Sequence, residues 1–153
     1  MLSVAGGAFW IDQVTRGAAV ERLVAGSAHL GFLHLRLVAN RGIFMGMIAL
    51  PSWVLAVVTL AVVAAVARAG PRGTPFEQVA YGLLAGGALG NLLDRYLTRA
   101  WFPPRAVVDW LSFGGTILNL ADVFVFAAVL ILLIRPGVSE PDPVGERERT
   151  PIR

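Results

Sequence analysis

Two long apolar runs dominate the chain. Ile43 to Ala67 carries no charge, and Ile117 to Ile134 carries one, Asp122. From Pro51, which fits a first helical turn, the first run gives ~26 Å of helix at ~1.5 Å per residue, close to a hydrocarbon core of ~30 Å. Arg68 to Gly73 is a break rich in turn residues. Thr74-Pro75-Phe76-Glu77 then predicts a helix start, with a capping hydroxyl, proline at the first position and glutamate at the third. That helix runs to about Arg95. Its glycines 82, 86 and 90, with Gly87 beside them, predict close packing against other helices. Leu97 to Val108, with Trp101, Pro103 and Pro104, reads as an interfacial loop. Val107 to Leu111 leads back toward the apolar layer. Leu33, Leu35 and Leu37 alternate with His34, Arg36 and Val38, a strand pattern. Only eleven residues precede Asp12, ~16 Å of helix. A first helix ending there is short or truncated, and it lacks the basic flank of a secretory signal.

Composition sharpens this picture. Of the 153 residues, 56% are hydrophobic and 15% charged, and mean hydropathy is +0.69. That is too apolar for an ordinary soluble domain. The net charge of +3 is carried by arginines alone, since there is no lysine. These arginines flank apolar segments, so they read as interface anchors rather than a nucleic-acid surface. Their distribution is nearly balanced between the two sides and leaves the orientation open. The chain has no cysteine and only two histidines, His29 and His34, which read as surface residues. Thiolate sites and a zinc hydrolase motif are thereby excluded. After Arg135-Pro136-Gly137 the sequence turns polar and charged, and residues 136–153 read as a disordered tail.

Three carboxylates lie in or against these apolar stretches: Asp94, Asp109 and Asp122. A carboxylate at a bilayer is rarely kept without a role. Asn91 and Asp94 are three residues apart, on one helical face, and so are Asn119 and Asp122. Closing the hairpin of helices brings Asp94, Asp109 and Asp122 to one membrane edge. Two adjacent carboxylates cannot easily both ionise. One then takes a proton from water while the other donates to a carbonyl, which is what peptide hydrolysis needs without metal or cysteine. Asn91 and Asn119 are placed to hold either a peptide or the carboxylates, and Arg95 to balance charge or bind substrate. Asp94, followed by Arg95, fits an ion-pair role equally well. Glu77 reads as a cap partner.

The motifs resemble those of the lipoprotein signal peptidase (signal peptidase II) family, from Asp12 to about Ile134. Asp12-Gln13-Val14-Thr15-Arg16 is similar to the family's D-Q-x-[ST]-K, with arginine for lysine. Asn40-Arg41-Gly42 with Gly46 resembles N-x-G-x-x-F-G, although Phe44 and Met45 depart from it. Gly86 to Arg95 is similar to G-G-A-x-G-N-x-x-D-R. Val107-Val108-Asp109-Trp110 resembles V-V-D-F, and Asn119-Leu120-Ala121-Asp122 resembles N-L-A-D, with Val123 where serine is common.

The resemblance implies an all-α integral membrane fold with four transmembrane helices and a small extracytoplasmic β-rich platform. The membrane peptidase domain would occupy residues 1–135, with both termini in the cytoplasm. It implies an aspartic endopeptidase of the bacterial cytoplasmic membrane with Asp109 and Asp122 as the catalytic pair. Asn40, Asn91, Arg95 and Asn119 would line the substrate site, and Asp12 and Asp94 would support it. The implied substrate is a diacylglyceryl-modified prolipoprotein cut just before its lipidated cysteine. Neither cofactor nor metal is called for, the partners are substrate and membrane lipid rather than nucleic acid, and the chain would act as a monomer. Two rival readings stay open on the residues alone. One is a small ion- or proton-coupled transporter; the other is an inactive relative that binds lipopeptides without cutting them.

Overall fold

The computed structural model describes residues 1–42, 48, 50–97 and 102–134. Phe44, Met45, Gly46, Trp101 and the tail 136–153, each singled out above, lie outside the described residues. Helix α1 spans Leu2–Leu23. A hairpin follows, β1 (Ala28–Leu30) and β2 (Leu33–Asn40). Then come α2 (Ser52–Ala69), a 3-10 turn (Gly70–Arg72) and α3 (Pro75–Tyr96). A second hairpin, β3 (Val107–Phe113) and β4 (Thr116–Leu118), leads into α4 (Leu120–Leu133).

Several boundaries follow from local chemistry. Pro51 precedes the first residue of α2, and α3 starts on a capping box in which Thr74 and Glu77 satisfy each other's backbone amides. The helix carrying Asp12 does not stop near that residue. It continues eleven residues further, so Asp12 sits mid-helix rather than at a helix end. Val107 to Phe113 is a strand and not merely a return toward the membrane. Its β-branched and aromatic residues favour the extended state, and it pairs with β2, far away in sequence. The sheet is antiparallel throughout, in the order β1-β2-β3-β4. The alternation seen at Leu33 to Val38 is part of it. The β3–β4 turn places Gly114 and Gly115 at φ 55° and 87°, both in the left-handed region a tight two-residue hairpin requires. His29 and His34 face each other across the first hairpin with stacked rings, 4.3 Å between centroids.

The α3 glycines divide between two neighbours. A methyl group on Gly82, Gly86 or Gly90 would run into α1, and one on Gly87 would come within 2.6 Å of the Ala121 carbonyl of α4. Helix α3 is therefore the central element, packed backbone-close on both sides. Burial is inverted relative to a water-soluble protein. Among the largest fully buried side chains are Arg16, Asn119, Asp12, Asp94 and Asp109, while Trp10, Trp53, Val57, Leu60, Phe126 and Leu133 are exposed. Such a surface suits lipid. Among the described residues, one helical stretch, Ser52–Arg72 with mean hydropathy 2.1, is long and apolar enough by itself to cross a membrane.

The glycine contacts give a paired prediction. Gly90→Ala places a methyl 2.7 Å from Asp12 Oδ2 and is expected to destabilise the protein by ~1–3 kcal/mol. Gly17→Ala, with open space around it, is expected to be neutral or stabilising by up to ~1 kcal/mol. Thermal unfolding in detergent micelles measures both.

Candidate active site

The base of the site is an ion cluster sealed inside the protein. Asp12 and Arg16 are fully buried, and Asp94 is 1% exposed. The four-residue spacing of Asp12 and Arg16 puts them on one face of α1. Arg16 Nη2 donates to both carboxylate oxygens of Asp12 at 2.7 Å. Arg16 Nη1 donates to Asp94 Oδ2 at 3.2 Å and to the Val108 carbonyl at 3.0 Å. The Val108 amide donates to Asp94 at 2.7 Å, and the Ala121 amide donates to Asp12 at 3.0 Å. One cluster thus fastens α1, α3, β3 and the first turn of α4 together. Gln13 adds a donor to Asp12 at 2.9 Å.

Reading Arg16 as an interface anchor is therefore corrected. It is the most deeply placed cation among the described residues and neutralises two buried acids. The signal for this was present in the Asp12–Arg16 spacing. Asp94 takes the ion-pair role that the sequence left as one of two options.

Above this base lie Asp109 and Asp122. Asp109, in the middle of β3, is 2% exposed. Asn119 Nδ2 donates to its Oδ1 at 2.6 Å and Asn40 Nδ2 to its Oδ2 at 2.8 Å. Asp122 sits in the first turn of α4 and accepts from Asn91 Nδ2 at 2.8 Å. Asn119 and Asp122 do not share a helical face. Asn119 is the residue before the helix, with extended backbone, and forms a capping box with Asp122. The Asp122 amide donates to Asn119 Oδ1 at 2.9 Å, and the Asn119 amide to Asp122 Oδ2 at 3.3 Å. The N-x-x-D pattern at 119–122 is thus a helix start, whereas the one at 91–94 lies inside a helix.

Asp122 opens onto a cleft of about 200 Å³. Asn40, Asn91, Arg95, Asn119 and Asp122 line its polar side, and Leu55, Val58 and Leu92 line its apolar side. Asp109 lies just behind Asn40 and Asn119. Arg95 Nη2 donates to the Gly42 carbonyl at 2.6 Å, tying α3 to the chain after β2. All eight residues singled out for the site or its support therefore converge. Asn40, Asn91, Arg95, Asn119 and Asp122 line the cleft, Asp109 backs it, and Asp12 and Asp94 lie beneath.

The chain matches known proteins over most of its length. The model of the family described as signal peptidase (SPase) II matches residues 4–136. The chain belongs to the signal peptidase II family. It is thereby a peptidase and an integral membrane protein. Among its relatives are the lipoprotein signal peptidase of Bifidobacterium longum strain NCC 2705 and that of Nostoc punctiforme. The first is 34% identical over 142 residues, covering 90% of this chain and 78% of the relative. The second is 30% identical over 148 residues, covering 90% and 89%. A solved bacterial membrane enzyme superposes with a TM-score of 0.74 at 26% identity, covering 87% of this chain and 89% of its own.

Electrostatics at Asp109 fit an acid pair. Burial first, and the charge of Asp122 second, push its carboxyl up to about 6, while amide bonds from Asn119 and Asn40 pull the other way. Because the folded value is raised, Asp109 is only half ionised near pH 6 and loses its proton as pH rises beyond that. In Asp122→Asn the second cause is gone. Carbon-13 NMR titration of Asp109 in that variant is expected to give a lower midpoint than in the wild type, still above the ordinary aspartate range because burial remains. An unchanged midpoint would mean that the two carboxylates do not sense each other.

Proposed function

We propose that Asp109 and Asp122 are the catalytic pair of a membrane aspartic endopeptidase that removes the signal peptide of diacylglyceryl-modified prolipoproteins. The cut falls just before the lipidated cysteine. The observation that carries this reading is the convergence of two carboxylates on one cleft, each held by amide donors and with no thiol beside them.

The chemistry follows from the geometry. The pair holds one proton between its two acids. The ionised partner takes a proton from water as the water oxygen attacks the scissile carbonyl carbon. The protonated partner donates to the carbonyl oxygen, giving a neutral gem-diol. Collapse breaks the C–N bond, the amine leaves with the proton first taken from water, and the second acid recovers its own. Asn40, Asn91 and Asn119 keep the carboxylates in place, and Arg95 keeps the Gly42 segment against the cleft. These four residues also meet the substrate backbone. Asp12 and Asp94 support the site through Arg16.

In this reading the four helices cross the bilayer with both termini in the cytoplasm, and the sheet forms a platform at the extracytoplasmic face. Buried charges in α1 and α3 point inward, which supports their crossing despite a composition poorer in apolar residues than that of α2. The substrate enters sideways from lipid, its acyl chains remaining there, and the enzyme works as a single chain without a cofactor.

Asp109→Asn and Asp122→Asn, purified in detergent and shown to be folded by their melting transitions, are expected to lower cleavage of a synthetic diacylglyceryl prolipoprotein at least ~10³-fold, the scale of a lost acid/base group. Wild-type rates in either variant would remove that residue from the pair.

A further inference from the structure

Three asparagines hold the two acids, and each has its amide orientation set by a donor on its own oxygen. Asn40 Oδ1 accepts from the Gly42 amide at 2.9 Å, and its Nδ2 faces Asp109. Asn119 Oδ1 accepts from the Asp122 amide at 2.9 Å, and its Nδ2 faces Asp109. Asn91 Oδ1 accepts from Arg16 Nη2 at 3.2 Å, and its Nδ2 faces Asp122. An amide has one acceptor end and one donor end. A donor fixed against the oxygen therefore leaves only the NH₂ end for the carboxylate. Two of these orienting donors are backbone amides, which no substitution other than proline removes. The third is the side chain of Arg16.

We propose that Arg16 is a positioning residue for the reaction, which acts through Asn91 to hold Asp122 in its working orientation, in addition to neutralising Asp12 and Asp94. The guanidinium suits this double task because it presents several donors in a fixed plane. Nη1 reaches Asp94 and the Val108 carbonyl, while Nη2 serves Asp12 and Asn91. Without the donor on Oδ1, the Asn91 amide is free to flip. Its carbonyl oxygen would then face a carboxylate, and the Asp122 side chain would swing away from the water it shares with Asp109. Arg16 itself does not border the cleft; its charge also acts on Asp109 through space, an effect that Asn91→Ala leaves in place, so the comparison of variants separates it from the one that passes through Asn91.

The inference rests on the catalytic assignment above and is tested by a double-mutant cycle on cleavage of the same lipidated substrate. Arg16→Met, Asn91→Ala and the double variant are compared, with kcat and KM measured separately and folding followed by thermal melts. If Arg16 works through Asn91, each single variant lowers kcat by about 10-fold or more, with KM nearly unchanged in Arg16→Met and raised in Asn91→Ala only by its lost substrate contact, and the kcat of the double variant is no lower than that of the poorer single one, the non-additivity expected of one interacting unit. Factors that multiply in the double variant, or a fall confined to melting temperature, would overturn the proposal. Arg16→Met also leaves two acids without a counter-charge, which costs ~3–5 kcal/mol for a buried pair. Should it not fold, Asn91→Asp serves in its place, because it keeps an acceptor for Arg16 but loses the donor to Asp122. A normal kcat in Asn91→Asp would overturn the proposal, and a fall at unchanged melting temperature would support the Asn91–Asp122 link through which Arg16 acts. Asp122→Asn run in parallel separates the two claims. Its retained activity would remove the catalytic assignment, whereas an inactive Asp122→Asn with multiplying factors in the cycle would remove only the role of Arg16.

Discussion

The whole arrangement depends on burying one guanidinium between two carboxylates. Removing a charge from water is costly, and the cost is offset only where partners satisfy it with good geometry. Arg16 meets that condition at its two terminal nitrogens, with Asp12, Asp94, Asn91 and a backbone carbonyl on three different elements, while its Nε is buried without a hydrogen-bond partner among the described residues. Because its partners come from α1, α3 and β3, the ions cannot be satisfied unless those elements are assembled in one way. Asp12 extends the constraint to α4 through the Ala121 amide. The cluster thus sets the relative placement of the helices and sheet, and the reactive acids are mounted on that frame.

On this frame the protein solves a second problem, keeping two carboxylates close with no ion pair to either of them among the described residues. Neutral amides do the holding. They stabilise a carboxylate by hydrogen bonding without a cation in direct contact, which preserves much of the tension between neighbouring acids that splits their protonation. Had Arg95 reached Asp109 or Asp122 directly, both acids would have been biased toward the ionised state. It bonds instead to the Gly42 carbonyl.

Much of this was legible in the sequence because it is written in local patterns. The Thr74–Glu77 helix start, the glycine stripe of α3 and the strand alternation after Leu33 each depend on residues near one another in the chain. The eight acids, amides and arginine expected at the site or beneath it were also found together. What stayed hidden depends on partners far apart in sequence. Val107 to Phe113 lacks clean alternation because its first residues are buried on both faces, so its pairing with β2 had no periodic signature. The N-x-x-D spacing at 119–122 suits a helix interior and a capping box equally well, and only the extended backbone of Asn119 tells them apart. The burial of Arg16 follows from a counter-charge on α3, 78 residues away.

The tight turn at Gly114–Gly115 has a meaning beyond its backbone angles. Asp109 lies on the strand before it, and Asp122 lies just after the strand that follows, so this hairpin is the covalent link between the two reactive groups. Its pairing, Phe113 to Thr116 and Leu111 to Leu118, fixes how far the chain travels before α4 begins. The gap between the acids is therefore metered by hairpin register. Adding or deleting one residue there would turn alternate side chains to the opposite face of the sheet and shift the start of α4 relative to Asp109. The turn acts as the caliper of the pair, and its length is a tighter requirement than the identity of the apolar residues on either side.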